Sequence, residues 1–207
     1  MKKSLFIVVD GIDGSGKSEI VKMLHNYLFS ENKRYRILTT REPTNGVYGG
    51  EIRNLLKKEK DPLVSGKKLV NLFIKDREQH LKNTIEPFLK NSSKHELNIV
   101  LCDRYYYSTM AFQGAQGLNV KELISKNKKF RKPDLVFILD VTPSTALQRI
   151  EYRKKEKFEQ LEFMEKIRRN FLGMPKLLHD NIKIIDSSGH LDDVFREVVK
   201  EVNKILG

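Results

Sequence analysis

Apolar residues along this chain fall into two kinds of segment that alternate. Five short β-rich runs, Leu5–Val9, Tyr35–Thr40, Leu97–Cys102, Leu135–Leu139 and Ile182–Ile185, read as strands of a buried sheet. The stretches between them carry apolar residues at helical spacing. After the first run these are Ile20, Val21, Leu24, Tyr27 and Leu28. A long helix capped by Ser65 carries Leu69, Leu72, Phe73, Leu81 and Ile85, until Pro87 limits its regularity. Thr142-Pro143 reads as an N-cap followed by proline at the first helical position. The segment 192–206 is amphipathic through Val194, Val198, Val202 and Leu206. This alternation predicts an α/β fold, three layers deep, with a five-stranded parallel sheet in the middle. A polar residue closes each run: Asp10, Arg41, Asp103, Asp140 and Asp186. Ligand crevices in open parallel sheets lie beyond the carboxyl ends of the strands, so these side chains are expected to gather there.

One junction carries explicit chemistry. Gly11-Ile12-Asp13-Gly14-Ser15-Gly16-Lys17-Ser18 fits the phosphate-loop pattern G-x-x-x-x-G-K-[ST], between a strand and a helix. Its glycines let successive N–H groups point at phosphate oxygens, and the new helix adds its positive end. Lys17 can reach the terminal phosphates of ATP, and the Ser18 hydroxyl can ligate Mg²⁺. With the layer pattern, this predicts a P-loop NTPase fold. Asp103-Arg104-Tyr105 follows the third run and supplies a carboxylate for hydrated Mg²⁺ beside a guanidinium that can clamp phosphate.

Further residues suggest a second substrate. In Thr40-Arg41-Glu42-Pro43 the proline holds the loop extended, and Arg41 could grip a phosphate; a salt bridge to Glu42 or Glu51 is the plainer alternative. Phe73 and Arg77 share a helix face, where ring and guanidinium can stack on a base and hydrogen-bond its edge; Phe73 taken alone reads as core. His80 reads as a helix-surface or capping histidine. Arg104, Ser108 and Phe112 form one helical stripe; Ser108 and Thr109 offer hydroxyls to a nucleoside, and Phe112 could wall off its sugar. The charged stretch from Arg149 through Arg153 to Lys157 is either a solvated face or a short basic lid, about 149–158, that folds over phosphates.

Composition narrows the field. The 207 residues suit a single domain over 1–207, and the net charge is +12. Such a charge fits either nucleic-acid binding or steering of small anionic substrates; no reader motif occurs in the basic segments, which favours the second. No apolar stretch reaches membrane-spanning length, and the run behind Lys2 and Lys3 is too short for a signal peptide. The lone cysteine, Cys102, leaves no internal disulfide and suits the cytoplasm; no Cys/His cluster has zinc spacing.

Taken together, Gly11–Ser18, Thr40–Pro43, Phe73-x-x-Asp76-Arg77-x-Gln79-His80, Asp103-Arg104-Tyr105-x-x-Ser108, Ala111–Gly114, Ala146–Arg149 and Ile185–Ser187 resemble the thymidylate kinase family across essentially the whole chain. The resemblance implies ATP-dependent phosphorylation of dTMP to dTDP, with Mg²⁺, in a cytoplasmic homodimer that needs neither nucleic acid nor membrane. It implies that Gly11, Ile12, Asp13, Gly14, Ser15, Gly16, Lys17 and Ser18 bind ATP together with Arg149, and that Ser18 and Asp103 hold the metal. It implies that Asp13 accepts from the acceptor's 3′-hydroxyl, Phe73 stacks on thymine, Arg77 donates to a ring oxygen and Thr109 meets the ring N3. Arg41 and Arg104 would hold the acceptor phosphate beside Ser108. Phe112 stands where the family commonly has tyrosine, against the sugar's 2′ carbon. The loop here lacks the arginine that one branch of the family carries, so Arg149 and Arg153 of the lid would join Lys17, Asp13 and Arg104 in catalysis. Two rival readings stand beside this: another pyrimidine nucleoside monophosphate or deoxynucleoside kinase of the same fold, and a non-kinase P-loop protein acting on nucleic acid.

Overall fold

The computed structural model describes residues 4–58, 66–150 and 157–206. Among them β1 (Ser4–Gly11), β2 (Tyr35–Arg41), β3 (Leu97–Asp103), β4 (Leu135–Asp140) and β5 (Ile182–Asp186) form one parallel sheet in the order β2-β3-β1-β4-β5. Each strand reaches past the apolar run that predicts it and takes in the polar residue behind. Ladder hydrogen bonds join backbone to backbone, so a polar side chain does not end a strand.

The pleat sends alternate residues to opposite helical layers. Phe6, Val8, Val100, Cys102, Val136 and Ile138 pack into one core with α5 (Tyr106–Ala115) and α8 (Lys157–Leu177). Leu5, Ile7, Val9, Ile99, Leu101, Leu135, Phe137 and Leu139 pack into the other with α1 (Lys17–Glu31) and α9 (Leu191–Leu206). Fully burying one such aliphatic or aromatic side chain contributes about 1.5–3 kcal/mol. The result is the expected three-layer α/β/α architecture. No helix among the described residues is long and apolar enough to cross a membrane.

The predicted long helix divides. α3 (Gly66–His80) runs into a π turn over Leu81–Ile85 and then α4 (Glu86–Lys90). Pro87 has no N–H to continue the α ladder, and the chain slips by a residue just ahead of it. Ser65, the expected cap, lies outside the described residues. α2 (Val47–Lys58) packs on α3 through Ile52, Leu69 and Leu72. Gly49 allows the loop before α2 to fold onto it, since a Cβ there would sit 1.9 Å from the Thr44 carbonyl oxygen. Helices α6 (Val120–Asn127) and α7 (Pro143–Arg149) complete the outline; Thr142 caps α7 by accepting from the Thr145 N–H, as its sequence predicts.

Candidate active site

The loop between β1 and α1 curls as its glycines allow. Gly14 and Gly16 take φ values of 80° and 91°, and a Cβ on Gly14 would meet the Ala146 carbonyl oxygen of α7 at 2.4 Å. Lys17 is folded into this loop, only 6 % exposed, with Nζ donating to the Ile12 carbonyl at 2.7 Å. Burial first, and then the nearby Arg104 charge, lowers its pKa to about 8, against the pull of Asp13, Asp103 and Asp10. The Ser15 hydroxyl is buried with no partner among the described residues.

The strand ends meet here as the topology demands. In register, Arg41 lies beside Asp103, and Asp103 beside Val9. The Ser18 hydroxyl donates to Asp103 Oδ2 at 2.7 Å, while Asp103 Oδ1 is buried with no partner among the described residues. A hydroxyl next to a carboxylate with a spare oxygen suits a hard cation that keeps most of its shell as water and phosphate. Among the described residues no group of three His, Cys, Asp or Glu stands ready to cage a metal without substrate. The donor set therefore fits Mg²⁺ carried in with a nucleotide.

Asp10 is the concealed organiser of the site. It is fully buried, and burial pushes its carboxyl up from the ordinary value while Arg104, Ser108, Gly11 and Lys17 pull it back. Its oxygens accept from the N–H groups of Gly11 (2.9 Å), Tyr105 (3.2 Å) and Ser108 (3.0 Å) and from the Ser108 hydroxyl (2.7 Å). One carboxylate at the end of β1 thus pins the start of α5. Arg104 sits between, in the left-handed region at φ 71°, a conformation that costs a non-glycine residue about 1–3 kcal/mol. Its N–H donates to the Val9 carbonyl at 2.9 Å, and the Cys102 thiol donates to its carbonyl at 3.1 Å. The guanidinium that results donates to Ser108 Oγ at 2.9 Å, pairs with Asp13 and lies 5.3 Å from the centroid of the Phe112 ring.

Two cavities meet at this arginine. A polar crevice of about 210 Å³ is lined by the phosphate loop with Arg41, Asp103 and Arg104. A second, of about 340 Å³, is mostly apolar: Leu69, Phe73, Phe112 and Phe163 line it, with Arg77, Ser108 and Gln113 as polar points. Asp13 and Arg104 belong to both.

Most residues singled out in the sequence converge on these cavities, with some changes of role. Arg41 borders the crevice and has no partner among the described residues, so neither Glu42 nor Glu51 takes it. Phe73 is half-buried at the apolar cavity wall. Thr109 is buried, accepts from Arg77 Nη2 at 3.2 Å and does not line the cavity. His80 is buried rather than on the surface, because its ring bridges Glu42 and Thr40. Arg149 ends α7 and donates to the carbonyls of Ser187 (2.8 Å) and Ser188 (3.1 Å). Arg153 and most of the stretch about 149–158 lie outside the described residues. Asp140 and Asp186 do not join the crevice: Asp140 takes a two-pronged bond from Arg168 (2.7 and 3.0 Å), and Asp186 accepts from the Ser188 N–H. Sequence reasoning missed Phe163, which α8 brings to the apolar cavity and which nothing in its local spacing distinguishes from other helix residues; Gln113 is part of the Ala111–Gly114 motif, which assigns it no role, and lines the same cavity.

Comparison with known proteins agrees with this geometry. A family model described as thymidylate kinase matches residues 9–198. The chain is 35 % identical to a probable thymidylate kinase of Thermococcus kodakarensis, over 98 % of this chain and 99 % of that protein. It is 36 % identical to the thymidylate kinase of Desulfotalea psychrophila, covering 97 % and 95 % of the two chains. With the thymidylate kinase of Leptospira interrogans the identity is 38 %, covering 96 % and 94 %.

Proposed function

The chain belongs to the thymidylate kinase family, and from that membership we propose that it moves the γ-phosphoryl group of ATP onto dTMP to give dTDP. The observation that carries this reading is the junction of a polar crevice and an apolar cavity at Asp13 and Arg104. Triphosphate in the first and nucleoside in the second would bring the two phosphate ends together. An oxygen of the dTMP phosphate bonds to the γ-phosphorus. The bond from that phosphorus to the β–γ bridging oxygen breaks, and ADP leaves with the electron pair. The chain's part is positioning and charge, as in phosphoryl transfer generally.

Lys17 and the loop N–H groups hold the β- and γ-phosphates. Arg41 and Arg104 hold the acceptor phosphate, and Arg104 is itself steadied by Ser108 and Asp13. Phe73 and Phe112 flank the nucleoside in a cavity that excludes water. Ser18 and Asp103 would hold Mg²⁺, which when bound would neutralise phosphate charge. Arg149 and Arg153 belong to the proposal as lid cations, with Arg149 able to leave the Ser187 and Ser188 carbonyls for the nucleotide. Domain 1–207 acts as one unit, paired as a cytoplasmic homodimer; sedimentation of the purified protein tests the pairing.

An ADP-release assay with dTMP, dUMP, UMP, CMP, AMP and thymidine tests the activity. The highest kcat/KM is expected for dTMP. Preference for unphosphorylated thymidine or for AMP would move the chain to another kinase class.

The buried ammonium adds a pH signature. With the Lys17 pKa near 8 and an ordinary value of 10.5, the nucleotide-free protein sheds this proton in a window where the unfolded chain keeps it. Folding stability is therefore expected to rise with pH between about 8 and 10.5, because the unfolded state binds more protons there. Bound polyphosphate favours the ammonium, so ATP binding near pH 9 should take up close to one proton and weaken about tenfold per further pH unit. Titration calorimetry in buffers of different ionisation enthalpy measures the uptake; none at pH 9 would contradict the assignment.

A further inference from the structure

Arg77 is 1 % exposed although it borders the apolar cavity. Resting on the function just given, we propose that Glu42 positions this guanidinium and thereby sets the discrimination between acceptor bases with a carbonyl and those with an amino group on the edge that Arg77 meets. Arg77 Nε donates to Glu42 Oε2 at 2.9 Å, and Nη2 lies 2.8 Å from the same oxygen. Nη1 donates to Asn127 Oδ1 at 2.7 Å, and Nη2 to Thr109 Oγ1 at 3.2 Å. The rings of Tyr105 and Phe130 flank it, with centroids 5.2 and 5.6 Å away. A guanidinium has five N–H bonds. Three of them donate to Glu42, Asn127 and Thr109, and Nη2 is also ion-paired with Glu42.

Glu42 is itself held. Its Oε1 meets His80 Nδ1 at 3.1 Å, and His80 Nε2 meets Thr40 Oγ1 at 2.7 Å. Next door, the Thr44 N–H and hydroxyl donate to the Asp76 carboxylate at 2.8 and 2.6 Å, stitching the loop after β2 to α3 beside Arg77. The carboxylate cannot swing away, and neither can the cation it carries. Arg77 thus meets the cavity it borders with donors held in a fixed frame and has no lone pair to offer. A carbonyl at position 4 of a pyrimidine accepts from it. An amino group there sets donor against donor in a mostly apolar cavity, where an unpaired polar group is costly. A guanidinium free to rotate could evade that conflict; one tied to Glu42 cannot. Glu42 acts through Arg77 and is a positioning residue.

The test compares the full chain with its Glu42→Gln and Glu42→Asp variants by steady-state kinetics with dTMP, dUMP and dCMP. Gln keeps the shape and removes the charge; Asp keeps the charge and withdraws it from Arg77. In both, KM for dTMP and dUMP is expected to rise about tenfold or more with kcat within about threefold, the pattern of lost binding shared by ground and transition states. The dTMP:dCMP ratio of kcat/KM should fall at least about tenfold, because the polar mismatch supplies the rejection. The dTMP:dUMP ratio should hold within about twofold, since both bases carry the same carbonyl. A dTMP:dCMP ratio within about twofold of wild type, however much overall activity is lost, would reduce Glu42 to a structural buried ion and overturn the proposal. If Glu42→Gln fails to fold, Glu42→Asp and His80→Gln, which loosens the carboxylate from its other side, decide by the same ratio. Wild-type protein that ignores dTMP would sink the kinase reading itself, a separate result.

Discussion

Replacing Lys17 with alanine is expected to lower kcat/KM for dTMP phosphorylation by about 10²–10⁴ and leave the protein folded. The ammonium is folded into the phosphate loop, with the Ile12 carbonyl its one acceptor among the described residues. Holding a cation there opposes folding, which is what its lowered pKa expresses: at neutral pH the charged form is worse placed in the folded chain than in the unfolded one. Removing it should therefore leave the melting temperature of nucleotide-free protein unchanged or slightly higher. The charge earns its place when negative phosphate oxygens arrive and charge shifts onto the leaving group. A thermal melt read beside the coupled assay separates the two effects. Near-normal turnover in Lys17→Ala, or a collapse of stability, would remove Lys17 from the role assigned to it.

Arg104→Lys probes geometry at constant charge. Lysine pays the same left-handed backbone cost at φ 71°, so strain is matched. What disappears is the planar fork that reaches Ser108, Gly11 and Asp13 at once and stacks over Phe112. A point charge on a flexible stem cannot span both cavities in one orientation. A fall of about 10²–10³ in kcat/KM is expected, the scale for losing one preorganised donor set in the transition state. A loss smaller than about threefold would show that charge alone suffices at this position.

Much of the site could be read from local pattern because local rules govern it. A glycine loop between a strand and a helix has one use that satisfies its backbone, and parallel strands deliver their carboxyl-end residues to one edge. Asp103, Ser18, Arg41 and Arg104 are therefore legible from spacing. Asp140 and Asp186 obey the same rule and yet serve other ends, since Arg168 of α8 claims one and the Ser188 turn the other. The basic stretch Lys126–Lys132 illustrates the opposite limit. In the sequence it is a patch of positive charge. In the fold Lys129 pairs with Glu78 at 3.0 Å, Arg131 with Glu86 at 3.1 Å and Lys132 with Asp180 at 3.3 Å. Those partners are remote in the chain, and no spacing rule reaches them.

The chain's own periodicities therefore determined the layers, the strand ends and the phosphate loop, because hydrophobic alternation and backbone turns act over a few residues. Which arginines stay open to substrate was decided only when the chain closed. Arg41 faces the crevice with no side-chain partner among the described residues, while Arg77 reaches the apolar cavity wall with most of its guanidinium committed to Glu42, Asn127 and Thr109, although both are exposed cations to any local reading. A buried cation needs a counter-charge and donors need acceptors, and those groups lie on elements that meet only in the folded core.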